Sequence, residues 1–386
     1  MRGRASPVLP RLAVVREGST ELLVPAASVT AKAPETAPAF FNPAARVNRD
    51  VSVAVARVTR PATFLDALAG TGARGVRVAR EAGPVEVTMV EFNRVSLEIA
   101  RRNARRNRVA SRCVEVREEA NAYLHSRFGR LERFGAVDVD PFGTPAPFVQ
   151  GALSAAADGG VVSLTATDTA TLCGVFPSVA FRRYGARVAK SESPHEAGIR
   201  VLLGFCARVG GTVDTAISPV AAHSTLHYMR VYFRVHRGAG RSDRALRGLG
   251  YVSRCASCHE AEVSPGPSET CERCGGKASP IGPQWVGPLV EGGVASGAAR
   301  ECEEAGWDGA GEALASLAGV DGLPPFGYSM EAVTSRERVS SVRFQRVVEA
   351  LEATGRAAMR QPFGSQGLKT DASYPEVVAA VREAGR

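Results

Sequence analysis

The segment Phe64-Leu65-Asp66-Ala67-Leu68-Ala69-Gly70-Thr71-Gly72-Ala73-Arg74-Gly75 constrains the fold more than any other. An apolar run ends in a turn whose Gly70, Gly72 and Gly75 satisfy G-x-G-x-x-G, and a helix is expected from about Ala73. Strand, glycine turn and helix in that order let a backbone approach a ligand at a helix N-terminus, as doubly wound α/β sheets do. Glu91 stands 21 residues after Gly70, at the end of the next apolar run. A carboxylate there accepts hydrogen bonds from both hydroxyls of an adenosine ribose. A nicotinamide dinucleotide and S-adenosylmethionine both fit, and the glycines do not choose between them.

Around this loop the chain alternates β-branched runs with helical stretches, which predicts an α/β domain with a mainly parallel sheet. Strands are expected at Thr63–Leu68, Glu86–Glu91, Cys113–Val116, Ala136–Asp140 and Val161–Ala166, then near Thr212–Ile217 and Tyr228–Val235. Helices are expected at Val95–Asn107 and from Glu196 through Phe205, and the polar stretch Arg237–Arg247 reads as a linker. The domain boundary is therefore set at 237/238. After the third strand, Glu118-Glu119-Ala120-Asn121-Ala122 offers Glu119 to an adenine amino group, although a solvated acidic helix start has the same spacing.

The chemistry is expected from Val137-Asp138-Val139-Asp140-Pro141-Phe142-Gly143, at the carboxyl edge of the sheet. It resembles the Asn/Asp-Pro-Pro-Tyr/Phe loop of enzymes that methylate exocyclic amino groups of nucleobases, with a single proline instead of two. A base amine is a poor nucleophile because its lone pair is delocalised into the ring. The Asp140 carboxylate and Pro141 carbonyl can accept its two N–H bonds, Phe142 can stack on the base, and Asp140 can carry away the proton.

Composition narrows the partner. With 386 residues, 45% hydrophobic and 23% charged, the chain suits two or three folded domains and not disorder. A net charge of +9 makes a polyanionic partner plausible, but only four of 48 basic residues are lysines, a bias that a GC-rich genome also produces. No apolar run approaches the roughly 20 residues of a membrane span, and no signal-peptide core follows Met1-Arg2-Gly3-Arg4, so a cytoplasmic protein is expected.

Cys255-x2-Cys258 and Cys271-x2-Cys274, 12 residues apart, predict a zinc ribbon. Four thiolates leave no open coordination position, so the zinc is structural. His223 and His227 lack a third ligand nearby and read as packing residues. The remaining cysteines, Cys113, Cys173, Cys206 and Cys302, read as small buried apolar residues. Beyond an alanine- and glycine-rich segment at Gly292–Gly322, Met330–Thr370 has the pattern of helix, turn, helix and wing: Val339–Thr354 is amphipathic, Gly355 stops it, and Gly364 and Gly367 punctuate a hairpin. The same pattern also fits an ordinary surface helix and hairpin.

Phe40-Phe41-Asn42-Pro43, Asn48-Arg49-Asp50, the glycine loop and Asp140-Pro141-Phe142-Gly143 together resemble the archaeal and eukaryotic tRNA (guanine(26)-N2)-dimethyltransferases in order and spacing. Thr165-Ala166-Thr167-Asp168, Leu172-Cys173-Gly174, Arg182-Arg183-Tyr184, the block His195 to Arg200 and the block Gly367 to Ala372 extend the likeness over about residues 35 to 372. The resemblance implies a Rossmann-like class I methyltransferase sheet on residues 1–237. It implies a smaller α+β domain on residues 238–386 with a zinc ribbon, a winged-helix-like segment and tRNA contacts.

It further implies that Arg49, Arg74, Glu91, Glu119 and Ala120 bind S-adenosylmethionine, with both arginines near its methionyl carboxylate. Asp66, Gly70, Gly72 and Asp138 complete that set. Asp140 would be the catalytic carboxylate, with Pro141 beside it, and Phe40 and Phe142 would sandwich an extruded guanine. Glu119 stands where aspartate is expected and Phe41 where tyrosine is common. A monomer is expected, and one methyl or two is left open. An amino-methyltransferase for another RNA or DNA, a nicotinamide oxidoreductase and a non-enzymatic nucleic-acid-binding protein remain the competing readings. Arg101, Arg102, Arg105 and Arg106 read as a solvated basic helix face, with RNA contact as the alternative.

Overall fold

Parallel strands covered on both faces read as short, nearly continuous apolar runs, and five such runs build the centre of the molecule. They are β3 (Thr63–Asp66), β4 (Glu86–Val90), β5 (Cys113–Val116), β6 (Phe134–Val139) and β7 (Ala156–Ala166), preceded by a hairpin of β1 (Leu12–Glu17) and β2 (Thr20–Pro25). The long antiparallel pair β8 (Thr215–Thr225) and β9 (Tyr228–Arg237) is joined by two residues, with Leu226 in the left-handed region at φ 52°. The seven-stranded sheet has the order β5-β4-β3-β6-β7-β9-β8, and the sequence order of the strands reverses between β3 and β6, which pair in parallel. This computed structural model describes residues 7–30, 38–126, 132–291, 293–340, 342–363 and 367–385. Gly292 and Gly364 lie outside them.

The expected strands and helices all occur, with edges shifted by up to eight residues: the strand expected near Thr212–Ile217 runs Thr215–Thr225, and the amphipathic stretch Val339–Thr354 is helical from Phe344. The helix at the glycine loop is Ala73–Glu81, the next is Arg94–Arg106, and the third runs Pro194–Gly211. The expected linker Arg237–Arg247 is instead largely a helix, Ala239–Leu246. Its polar residues point outward while Ser242 is buried, and Leu246 packs where Gly211 lacks a side chain. Four polar or charged side chains in eight positions conceal a helix held by one narrow apolar edge.

The chain forms two compact units, each discontinuous in sequence. One comprises 1–165, 232–236 and 292–315. Helix Arg46–Thr59 buries nine consecutive residues in it, Asn48 to Ala56, and ends at Arg60 in the left-handed region. Leu22 and Val24 of the hairpin close a small apolar cluster with Phe41 and Ala73.

The other unit comprises 166–231, 237–291 and 316–386. It holds the three-stranded ribbon sheet β11-β10-β12, in which Leu249–Cys255 pairs with Ala261–Ser264 and Ala278–Trp285. It also holds helices Met330–Glu337 and Phe344–Ala353 followed by the antiparallel strands Ala358–Arg360 and Gly367–Thr370, the helix, turn, helix and wing pattern. Tyr328, Val333, Val347, Leu351, Leu368 and Val377 form its core. Glu196 is fully buried there and accepts from Arg200 at 2.8 Å and from Lys369, which joins two sequence blocks 173 residues apart. Among the described residues, no helix is long and apolar enough to cross a membrane.

Candidate active site and metal centre

Sheet register brings the acidic residues together. Asp66 of β3 pairs with Asp138 of β6 in a parallel ladder, so their side chains stand on the same face, and Asp140 follows just beyond the end of β6. Asp66 and Asp138 are buried, while the Asp140 side chain keeps 28% of its exposure. Arg74, in the first turn of Ala73–Glu81, reaches both: its Nε lies 3.1 Å from Asp138 Oδ1 and its Nη2 donates to Asp140 Oδ2. Asn48 Oδ1, at 2.8 Å, and Ser52 accept from its Nη1.

Ser163 donates to Asp138 at 2.6 Å, and the Gly75 N–H donates to Asp66 at 3.0 Å. Burial pushes the Asp66 carboxyl up to about 7, and the neighbouring Asp138 and Asp140 add to this against the pull of Arg74. Arg74 pairs with Asp138 and Asp140, Asp66 stands beside Asp138 in the ladder, and burial is greatest for Asp66 and Asp138. Asp140 is the most exposed of the three.

The glycines divide their work. A Cβ on Gly72 would come within 2.8 Å of the Ala100 Cβ, and one on Gly75 within 2.9 Å of Met89 Cγ. Both glycines therefore admit close packing of neighbouring elements. Gly70 is different: at φ 53° it has only the Phe40 carbonyl oxygen near the position of a Cβ, at 3.7 Å. Its N–H donates to Glu91 Oε2 at 2.9 Å, while the Asn93 N–H holds Oε1 at 2.6 Å. Burial pushes the Glu91 carboxyl up and these N–H groups oppose it. Each oxygen so fixed retains a lone pair for a ligand hydroxyl. An open backbone turn beside an oriented carboxylate fits the adenosine end of S-adenosylmethionine.

Other expected residues have internal partners. Arg49 grips Glu17 of β1 with two bonds, at 2.8 and 2.5 Å, donates to the Asn42 carbonyl and lies over the Phe41 ring at 4.8 Å. Glu119 caps helix Ala120–His125 by accepting from the Ala122 N–H at 2.9 Å, and Ala120 is buried at its start. Phe40 and Phe142 meet edge to face with centroids 4.7 Å apart, and Phe142 is 68% exposed. A base between two rings needs parallel planes separated by two van der Waals contacts, about 7 Å. These rings must part and turn to accept one.

Glu17, Asn48, Ser52 and Ser163 orient the site without having been singled out for it. Asn48 lies in a quoted block, whereas nothing local marks Glu17, 32 residues from its partner. Phe92 was also missed: it follows Glu91 and is 66% exposed, with Arg117 over its ring at 5.8 Å. Arg101, Arg102 and Arg106 of the basic helix form surface ion pairs with Glu115, Glu98 and Glu21 respectively.

In the other unit, the sulfur atoms of Cys255, Cys258, Cys271 and Cys274 all lie within 4.8 Å of one another. The Cys255–Cys274 and Cys258–Cys271 separations are 3.5 and 3.6 Å, against about 3.8 Å for a tetrahedral zinc with bonds of about 2.3 Å. Ser257 and Cys258 donate backbone N–H groups to Cys255, the Cys258 bond first among the causes that push this thiol down to about 6. The donor set fits zinc, and the same turns that hold it shape the ribbon sheet.

Residues 18–382 match the family of N2,N2-dimethylguanosine tRNA methyltransferases. The chain is 35% identical to a tRNA (guanine(26)-N(2))-dimethyltransferase of Methanothermobacter thermautotrophicus, over 94% of this chain and 97% of that one. It is 36% identical to the enzyme of the same name from Aeropyrum pernix, over 97% and 98%. The solved structure of Trm1 from Pyrococcus horikoshii with S-adenosyl-L-methionine is similar at a TM-score of 0.83 and 29% identity, covering 96% of this chain and 99% of that one. Glycine turn, acidic strand ends and four-cysteine ribbon thus occur in one chain whose nearly full length aligns with these relatives, and the chain belongs to the N2,N2-dimethylguanosine tRNA methyltransferase family.

Proposed function

We propose that this protein transfers one or two methyl groups from S-adenosylmethionine to the exocyclic N2 of guanine 26 in tRNA, the position named for its relatives. The observation that carries the reading is Asp140, a partly exposed carboxylate at the carboxyl edge of the sheet, oriented by Arg74 and followed by an exposed aromatic ring. The cofactor supplies a methyl group activated by a sulfonium. The Asp140 carboxylate and the Pro141 carbonyl accept the two N–H bonds of the amine, which frees its lone pair toward that methyl. Asp140 then holds the proton the amine releases. Phe40 and Phe142 bind the extruded base, and positioning by stacking lowers the entropy cost of alignment.

On the cofactor side, Glu91 takes the ribose hydroxyls, the backbone at Gly70 lies against the adenosine, and Glu119 and Ala120 meet the adenine. Arg49 and Arg74 face the methionyl carboxylate, while Asp66, Gly72 and Asp138 hold the loop and Arg74 in place. Residues 1–237 carry this chemistry. Residues 238–386 carry the zinc and contacts to tRNA, and the protein acts as a monomer in the cytoplasm.

Labelled methyl transfer to an unmodified tRNA transcript, beside the same transcript with adenine at position 26, tests the reading. Label recovered as N2-methyl- or N2,N2-dimethylguanosine from the first alone is expected. Equal labelling of both transcripts would move the target, and absence of labelling would overturn the activity. The zinc is tested separately. Chelation should release one zinc per chain and speed amide hydrogen exchange in Leu249–Trp285, while S-adenosylhomocysteine affinity stays within about threefold, because the metal closes only its local turns.

A further inference from the structure

We propose that the face built by helix Pro177–Tyr184, the loop before it and residues 277–280 is an RNA-binding surface, on which an unpaired base stacks and its flanking phosphates are neutralised. This deepens the tRNA reading above and rests on it, and it extends RNA contact to residues before 238. The helix explains why apolar groups remain outside. Ala180 and Tyr184, four residues apart, are fully buried and fix the inner face, which turns Phe181 outward. Phe181 is 62% exposed, Phe176 53% and Val175 51%. Three large apolar side chains within seven residues thus keep half or more of their surface exposed, which suits a partner.

Phe181 borders a groove of about 590 Å³ whose lining includes Pro177, Arg187, Lys277, Pro280 and Glu269. Its charge selects the partner. Among the described residues Arg187 pairs with Glu269 alone, at 3.1 Å, and both side chains are more than half exposed, so the pair is weak and yields to a phosphate. Lys277, and Arg182 beside Phe181, are exposed and have no acidic partner among the described residues. Exposed aromatic rings beside uncompensated cations are what single-stranded or looped-out RNA requires. Protein interfaces instead deplete lysine around their apolar centres.

The test measures binding of an unmodified tRNA transcript across salt concentration for the full chain, Phe181→Ala and Lys277→Ala, with S-adenosylhomocysteine binding as the control. Phe181→Ala should weaken tRNA binding roughly 5- to 100-fold, the range of one lost base stack. Lys277→Ala should reduce the slope of log affinity against log salt by about one. S-adenosylhomocysteine affinity should not change in either. Unchanged tRNA affinity and salt slope in both variants, with methyl transfer intact, would overturn this surface and leave the proposed function standing. Tight tRNA binding weakened by both variants, without methyl transfer to any guanine, would do the reverse. Concentration-dependent dimerisation abolished by Phe181→Ala would assign the face to a second copy of the chain and overturn the proposal. Failure of the unaltered protein to bind tRNA would sink both.

Discussion

Asp140→Asn slows methyl transfer to guanine by on the order of 10²- to 10⁴-fold, the span associated with loss of a positioned proton acceptor. The substitution keeps the size of the side chain and one carbonyl oxygen, so the base can still be placed. It removes the negative charge that accepts from the amine, and it weakens the pairing with Arg74. Because Arg74 is also held by Asp138, Asn48 and Ser52, its position and the fold survive. Single-turnover transfer measured with saturating S-adenosylmethionine and tRNA isolates the chemical step, and titration with S-adenosylhomocysteine checks the cofactor site. A loss smaller than about threefold, with both ligands bound, would remove Asp140 from proton acceptance.

That prediction depends on a site most of whose elements were legible in sequence. A glycine turn, a carboxylate after the second strand and an Asp-Pro-aromatic loop after the fourth are local signals, and a parallel sheet places all three at one edge. What escaped has a common cause. The Arg49–Glu17 and Arg74–Asn48 contacts join elements that are distant in sequence, so no spacing rule reports them. Gly72 and Gly75 look like ligand glycines in the motif, but only the packed structure shows Met89 and Ala100 filling their side-chain space. The helix Ala239–Leu246 was read as linker because glycine and charge dominate its composition, while a single burying edge is enough to keep it folded once a neighbour is present. The edge-to-face contact of Phe40 with Phe142 was also beyond reach, since the family resemblance implies a sandwich about a base and says nothing of how the two rings meet each other.

The largest stability effect is expected at Arg77, which no motif contains. Its guanidinium is fully buried among Glu17 at 3.3 Å, Asp50 at 2.6 Å and Glu81 at 3.1 Å, and it lies over the Trp307 ring at 5.1 Å. Burial alone would push this group down, but Glu81, Asp50 and Glu17 hold it above its ordinary value. Arg77→Met keeps the unbranched stem but removes the guanidinium, leaving three buried carboxylates without their shared cation. Glu17 keeps Arg49, but among the described residues Asp50 retains only the half-exposed Arg46, and burial already pushes the Asp50 carboxyl up. The expected cost is about 3–5 kcal/mol, a large part of the roughly 5–15 kcal/mol that holds a protein folded. Arg106→Met, which removes an exposed pair with Glu21, should cost no more than about 1 kcal/mol. Urea unfolding of the two variants side by side makes the comparison. Equal midpoints would mean that the three carboxylates take up protons or water without penalty. A low midpoint for Arg77→Met alone shows that the hairpin, the helix Arg46–Thr59 and the glycine-loop helix are held to one another by a single buried charge. That charge sits one turn beyond Arg74 on the same helix, so the element that orients Asp140 owes its own placement to it.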